Sequence, residues 1–388
     1  MYNGEKIEEL RLLFEMSRFE LARKLEVSEQ AIWQFENGEV FPKMSLKLKL
    51  AQLFHVDIDY FEENSIESNF GVSDIAFRNS DIISRKIINY QEVYLNTINK
   101  YINYLEQLVQ FPQQDFYILT KKISGMLEKN ISIERIADYS REILDISDDN
   151  SDLLYKLEKS GIYVFEKQLN GTEDAYSIWS QEGIPYIILG INKTAVRRNF
   201  DLAHELGHLL LHRGVDFESL DKFELQKKES EANKFASYLL LPEKRFKQII
   251  NDLQIDKKLS NPDSYINIKK KLNVSIQAME YRAFQLGLLT KGQHEYFYRL
   301  IYKKKYRLLE PLDDDIVVKR PTKVRSIFNV VFDNNLITIE QFLKTNKITL
   351  DFLSHLFYVE KSFFEQFISS EINDFSKIID IKDFKKSI

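Results

Sequence analysis

His204-Glu205-Leu206-Gly207-His208 places two imidazoles and a carboxylate at a spacing that can hold and use a metal ion. On a helix, residues four apart share a face, so both rings project toward one ion. Glu205 stands beside them, placed to take a proton from a water on that ion. Zinc, the expected cofactor, takes nitrogen or carboxylate ligands in a tetrahedron, and a catalytic site leaves one position for water. The ion lowers the pKa of that water to about 7, and a neighbouring carboxylate completes its activation. Three of the six histidines fall in this stretch: His204, His208 and His212. Gly207 inside a helix costs about 1 kcal/mol relative to alanine, which makes sense where another element must approach closely.

A third ligand has to come from elsewhere. His212 lies eight residues after His204, about 12 Å along a helix axis, which is too far to share a tetrahedral ion with both others. It is expected to support the site. A second helix, ending near Pro242, carries Glu229, Ala232, Asn233, Ala236 and Leu240 on one stripe. The small residues Ala232 and Ala236 let this helix pack closely on the first and aim Glu229 at the ion. Glu231 points away from the stripe and is the weaker candidate, although two carboxylates in three residues leave the choice open.

Phe200-Asp201-Leu202-Ala203-His204-Glu205-Leu206-Gly207-His208-Leu209-Leu210-Leu211-His212, followed by the block from Glu229 through Ala232, Asn233, Phe235 and Ala236 to Leu239-Leu240-Leu241-Pro242, resembles the ImmA/IrrE family of metallopeptidases. The two blocks together are far more specific than the histidine pair alone. The resemblance covers roughly residues 130 to 290 and implies a zincin-like peptidase domain. Family members are similar to thermolysin-like zinc proteases at their active site, and those studied as proteases cut helix-turn-helix repressors. What carries over is His204, His208 and a glutamate of the second block as metal ligands, with Glu205 as base. The resemblance identifies no substrate.

The elements around these residues read as mainly α with a small antiparallel sheet. With 388 residues and 44% hydrophobic content, the chain can bury two or three cores. No apolar run is long enough to span a membrane. The absence of cysteine excludes disulfides and thiolate ligands and fits a reducing cytoplasm. The formal net charge of -5 gives no sign of nucleic-acid binding by itself.

The spacing of Ile7, Leu10, Leu13 and Phe14 predicts a first helix. Phe19 to Leu25 and Glu29 to Glu36 predict two more, joined by a short turn, with Ser28 as N-cap and Asn37-Gly38 as the stop. Ser17, Glu20-Leu21-Ala22, Val27-Ser28, Ile32, Glu36-Asn37-Gly38 and Pro42 resemble the lambda-repressor-like (XRE-type) DNA-binding family. By position in that pattern Glu29, Gln30 and Gln34 face base edges. Arg18, Ser28 and Asn37 are candidates for backbone contacts. Acidic residues outnumber basic ones over residues 1–63, which opposes phosphate binding; dimer formation would offset weak single contacts. The opposing reading is a domain that keeps this fold and docks protein.

Residues 64–114 read as a linker and connecting helix, with Tyr94, Ile98, Tyr101, Ile102 and Leu105 as a packing stripe. Residues 115–290 read as the peptidase domain. Its strands are expected at Ile162–Lys167, Ala175–Trp179 and Tyr186–Ile191, with turns at Asn170-Gly171 and Glu182-Gly183. A sheet edge of this kind can take an extended substrate as an added strand. Residues 291–388 form a helical region without a catalytic signature. The run from Lys303 to Arg307 is the densest basic stretch and reads as a solvated helix face.

The expected function is a zinc endopeptidase fused to a helix-turn-helix domain, cleaving a repressor or a related cytoplasmic regulator. The competing expectation is a DNA-binding regulator or antitoxin-like protein whose metal site is structural or sensory. Protein substrate, operator DNA and a second copy of the chain are the expected partners.

Overall fold

The computed structural model describes residues 2–66, 69–70, 85–109, 115–169 and 174–368. The chain opens with α1 (Glu5–Leu13), α2 (Arg18–Leu25), α3 (Glu29–Glu36) and α4 (Met44–Phe54). Their ends are where the sequence puts stop and start signals. Ser17 and Glu20 form a reciprocal capping box at α2, and Ser28 accepts the Ala31 N–H at 3.1 Å to cap α3. Glu26 closes α2 in a left-handed conformation at φ 58°. Inside this bundle the Arg11 guanidinium meets the buried Glu36 carboxylate at 2.5 Å.

The amphipathic α5 (Arg85–Leu108) follows, then α6 (Asp115–Glu128), α7 (Ile133–Ile143) and α8 (Leu153–Ser160). The expected aromatic stripe of α5 is buried within the chain: Tyr94, Ile98, Tyr101, Ile102 and Leu105 all join one core. Strands β1 (Tyr163–Lys167), β2 (Ala175–Trp179) and β3 (Pro185–Gly190) come next. The expected turn at Asn170-Gly171 lies outside the described residues, as do parts of the expected linker and everything after residue 368.

The small sheet is present, but its pairing is mixed rather than wholly antiparallel. The strand order is β1-β3-β2, with β1 parallel and β2 antiparallel to β3. β2 and β3 make a hairpin whose turn uses Gly183 at φ 81°. β3 takes the centre, and its Tyr186-Ile187-Ile188-Leu189 are buried on both faces, as is the edge strand β1. That places β1 on its far side, running the same way.

The sheet separates two cores. Tyr163, Phe165, Tyr176, Ile178, Tyr186 and Ile188 pack toward the amino-terminal helices, α5 and the helices between residues 323 and 365. Val164, Ala175, Ile187 and Leu189 pack the other way, toward α9 (Ala195–Leu211), α10 (Lys222–Leu240), α11 (Glu243–Asp252), α12 (Ile266–Leu272), α13 (Ile276–Gln285) and α14 (Lys291–Lys303). The remaining helices among the described residues are α15 (Lys323–Asp333), α16 (Ile339–Asn346), α17 (Leu350–Phe357) and α18 (Lys361–Glu365). They are tied to the first bundle: Val56 pairs with Ile348, and the Asp57 N–H donates to the Lys347 carbonyl at 2.7 Å. Each large apolar side chain in that shared core contributes roughly 1.5–3 kcal/mol, so burial outweighs the short backbone pairing. No helix among the described residues is long and apolar enough to cross a membrane.

Candidate metal centre

Two crossing helices build the site. α9 carries His204, Glu205 and His208 on its buried length, and α10 lies across it. Gly207 permits the crossing. A Cβ there would sit 3.1 Å from the Phe235 ring, 3.3 Å from Ala232 Cα and 3.4 Å from the Ala232 carbonyl oxygen. Ala232 and Ala236 are fully buried on the facing side of α10, as their size requires. The helix is started by an Asp221–Glu224 capping box and ends at Leu240, ahead of Pro242.

His204 Nε2 and His208 Nε2 lie 2.9 Å apart. The Glu229 carboxylate reaches both, at 3.4 Å from His204 and 3.2 Å from His208. Zinc–ligand distances of about 2.0–2.1 Å put the ligand atoms of a tetrahedral ion about 3.3–3.4 Å apart, close to this spacing. The Asn233 amide oxygen lies 3.0 Å from His204 Nδ1. It can only accept, so Nδ1 carries the hydrogen and Nε2 turns a lone pair to the centre. Nitrogen and carboxylate lone pairs converging at such distances repel one another unless a cation lies among them. The donor set therefore fits a divalent metal. His204, His208 and Glu229 form the cluster of this kind among the described residues. Burial raises the pKa of Glu229, but the two imidazoles outweigh it and hold the carboxyl well below its usual range.

Glu205 does not join the cluster. It is 1% exposed, and its Oε2 accepts a hydrogen bond from Ser177 Oγ on β2 at 2.8 Å. A carboxylate held beside the centre by a hydroxyl is placed to handle a proton rather than to bind metal. His212, at the end of α9, is buried behind His208, their Nδ1 atoms 3.0 Å apart. Its Nε2 meets Glu231 Oε2 at 3.0 Å. Burial lowers the His212 pKa to about 4, against the opposing pull of Glu231. Hydrogen bonding to His212 brings the Glu231 carboxyl down to about 2.

Open space lies on both sides. A cavity of about 340 Å³ is lined by Ser177, Trp179, His208, His212, Arg213 and Phe217. A second, of about 560 Å³, is lined by Phe200, Asn233, Tyr281, Tyr298, Arg307 and Leu308. β2 is an edge strand and runs from Ala175, next to Asp174 of the second cavity, to Trp179 in the first.

The amino-terminal candidates stand apart from this centre. Glu29, Gln30 and Asn37 are exposed on or beside α3, Gln34 is half-buried, and Ser28 is engaged as the helix cap. The Asn37 amide donates to the Trp33 carbonyl at 2.8 Å. Arg18, about a third exposed, is paired with Glu36 at 2.5 Å and Glu8 at 3.1 Å. Phe19 on α2, Trp33 on α3, Phe41 in the loop between α3 and α4, and Met44 and Leu48 on α4 are exposed.

Sequence reasoning missed Ser177, because nothing in a short strand marks which hydroxyl will meet a helix. It placed Asn233 on the stripe of Glu229 without giving it a role; the four-residue offset from Glu229 was the available signal.

Residues 157–284 match the family profile described as IrrE N-terminal-like domain, Peptidase_M78. That match supports a metallopeptidase-type function for the part of the chain holding the site. Among curated proteins none matches the chain.

Proposed function

We propose that the chain is a zinc-dependent endopeptidase whose amino-terminal helices form a helix-turn-helix docking unit. The observation that carries this reading is the convergence of His204 Nε2, His208 Nε2 and the Glu229 carboxylate, with Glu205 held just outside the cluster by Ser177. A structural metal site has no use for a restrained, non-ligating carboxylate at that position. A zinc ion bound there would supply Lewis acidity, acidifying water and polarising the scissile carbonyl. Glu205 takes the proton of the attacking water and delivers it to the leaving amine. Ser177 keeps the carboxylate oriented through both transfers. The edge strand β2 aligns an extended peptide by main-chain hydrogen bonds, and the two cavities receive side chains on either side of the cut bond.

A cytoplasmic repressor or related regulator is the substrate this reading favours. Docking of protein by the amino-terminal unit is supported by its exposed Phe19, Trp33, Phe41, Met44 and Leu48. The second reading, a DNA-binding regulator with a structural or sensory metal, draws on one observation: Glu29 and Gln30 are exposed at the start of α3.

The test compares zinc-loaded wild type with zinc-loaded Glu205→Gln in a host lysate, mapping newly formed protein termini. The peptidase reading expects new termini with the wild type and none with the variant. Identical profiles from both fully loaded proteins would overturn it.

A further inference from the structure

His208 presents one ring nitrogen to the centre, and its other nitrogen is held by a chain of contacts that runs to the surface. His208 Nδ1 and His212 Nδ1 are 3.0 Å apart, and His212 Nε2 is 3.0 Å from Glu231 Oε2. Lys228 Nζ meets the same carboxylate at 3.2 Å. Both imidazoles are buried, whereas the Glu231 and Lys228 side chains are about a quarter exposed.

The hydrogens in this chain can be placed from the acceptors alone. An ionised carboxylate only accepts, so His212 Nε2 carries a hydrogen. A neutral imidazole has one N–H, so His212 Nδ1 is bare and accepts. Its partner, His208 Nδ1, must then be the donor. His208 Nε2 is left with a lone pair, directed at Glu229 and His204 Nε2. The alternative, an imidazolium at His212, would bury a charge and require His208 to turn an N–H toward the centre instead.

We propose that His212 and Glu231 are positioning residues that fix His208 in the tautomer able to bind metal. This rests on the metal-site reading above and deepens it. The carboxylate that the sequence offered as a rival ligand thus acts on the metal through two imidazoles. The two ligand histidines are held differently. His204 has a neutral amide behind it, and His208 has an imidazole backed by a carboxylate. α10 supplies the partners of both, Asn233 and Glu231, together with the ligand Glu229.

The experiment measures zinc dissociation constants of the full chain by chelator competition, for the wild type, His212→Phe and His212→Asn. Phenylalanine keeps a ring and removes the acceptor; asparagine keeps an acceptor oxygen near the position of Nδ1. Loss of a partner behind a ligand histidine weakens metal binding about 10–100-fold, and that is expected of His212→Phe, with His212→Asn recovering most of it. Glu231→Met, at a partly exposed position that threatens the fold less, is expected to weaken binding in the same direction. Nitrogen-15 spectra of the zinc-loaded wild type are expected to show neutral His212 with its hydrogen on Nε2. Zinc binding by His212→Phe and Glu231→Met equal to that of the wild type would overturn the proposal. So would a His212 hydrogen on Nδ1. A wild type that takes up no zinc would overturn the metal reading itself, and this proposal with it.

Discussion

Replacing Gly207 by alanine sets two known effects against each other. Alanine favours the helix over glycine by about 1 kcal/mol, so in open space the change stabilises. At Gly207 the new methyl would stand 3.1 Å from the Phe235 ring and 3.3 and 3.4 Å from backbone atoms of Ala232. A ring can turn, but the α10 backbone can yield only by moving the helix. Overpacking of this kind costs about 1–3 kcal/mol, so Gly207→Ala is expected to be neutral to destabilising by about 2 kcal/mol. Gly125, within α6, has nothing within 4 Å of a built Cβ and serves as the control. Gly125→Ala is expected to stabilise by about 0.5–1 kcal/mol. Urea denaturation of both variants isolates the packing term as their difference, about 1–3 kcal/mol. Moving α10 also displaces Glu229, so zinc affinity is expected to fall at Gly207→Ala and hold at Gly125→Ala. Equal stabilisation by both substitutions, with zinc binding unchanged, would refute the close helix crossing.

Other perturbations act on the partners of the site. Ser177→Ala frees the Glu205 carboxylate and is expected to lower kcat about tenfold, or about 1.4 kcal/mol, while zinc content stays at the wild-type level; an unchanged kcat would show that the hydroxyl does not orient the base. Asn233→Leu removes the acceptor behind His204 and should weaken zinc binding about 10–100-fold, whereas Asn233→Asp should retain it; equal affinities for Leu and wild type would count against the assigned tautomer. Burial raises the Glu280 carboxyl from 4.5 to about 7, partly opposed by His294. Between those values the unfolded chain has released a proton that the folded chain keeps, so this contribution to stability is full below pH 4.5 and lost as pH rises through 7. The stability difference between wild type and Glu280→Gln should therefore shift against the wild type by about 2–3 kcal/mol from pH 5 to pH 8; a difference independent of pH would contradict the burial argument.

The parts of the site that follow from helical periodicity were legible in the sequence. The four-residue offset fixed His204 and His208 on one face. The small residues Ala232 and Ala236 announced the helix that crosses there, and Gly207 marked the crossing point. The strands were legible as β-branched and aromatic runs, but their order was not. Alternation shows which face of a strand is buried, not which neighbour it pairs with. β1 and β3 are both buried on both faces, so only the pairing itself places β3 between β1 and β2. Glu231 points away from the stripe, as its position on the helix implies, and that direction leads to His212. Such a contact depends on how α9 and α10 cross, which neither segment encodes alone. The shared core of the first and last helices was equally hidden, since residues 55–57 and 347–349 meet across most of the chain length.

The most direct test of the central claim is metal content per chain by mass spectrometry after zinc loading and removal of excess, for wild type, His204→Ala, Glu229→Gln and Glu205→Gln. The account predicts about one zinc in the wild type and in Glu205→Gln, and little in His204→Ala and Glu229→Gln. Equal zinc in all four, or none in the wild type, would contradict a centre built from His204, His208 and Glu229.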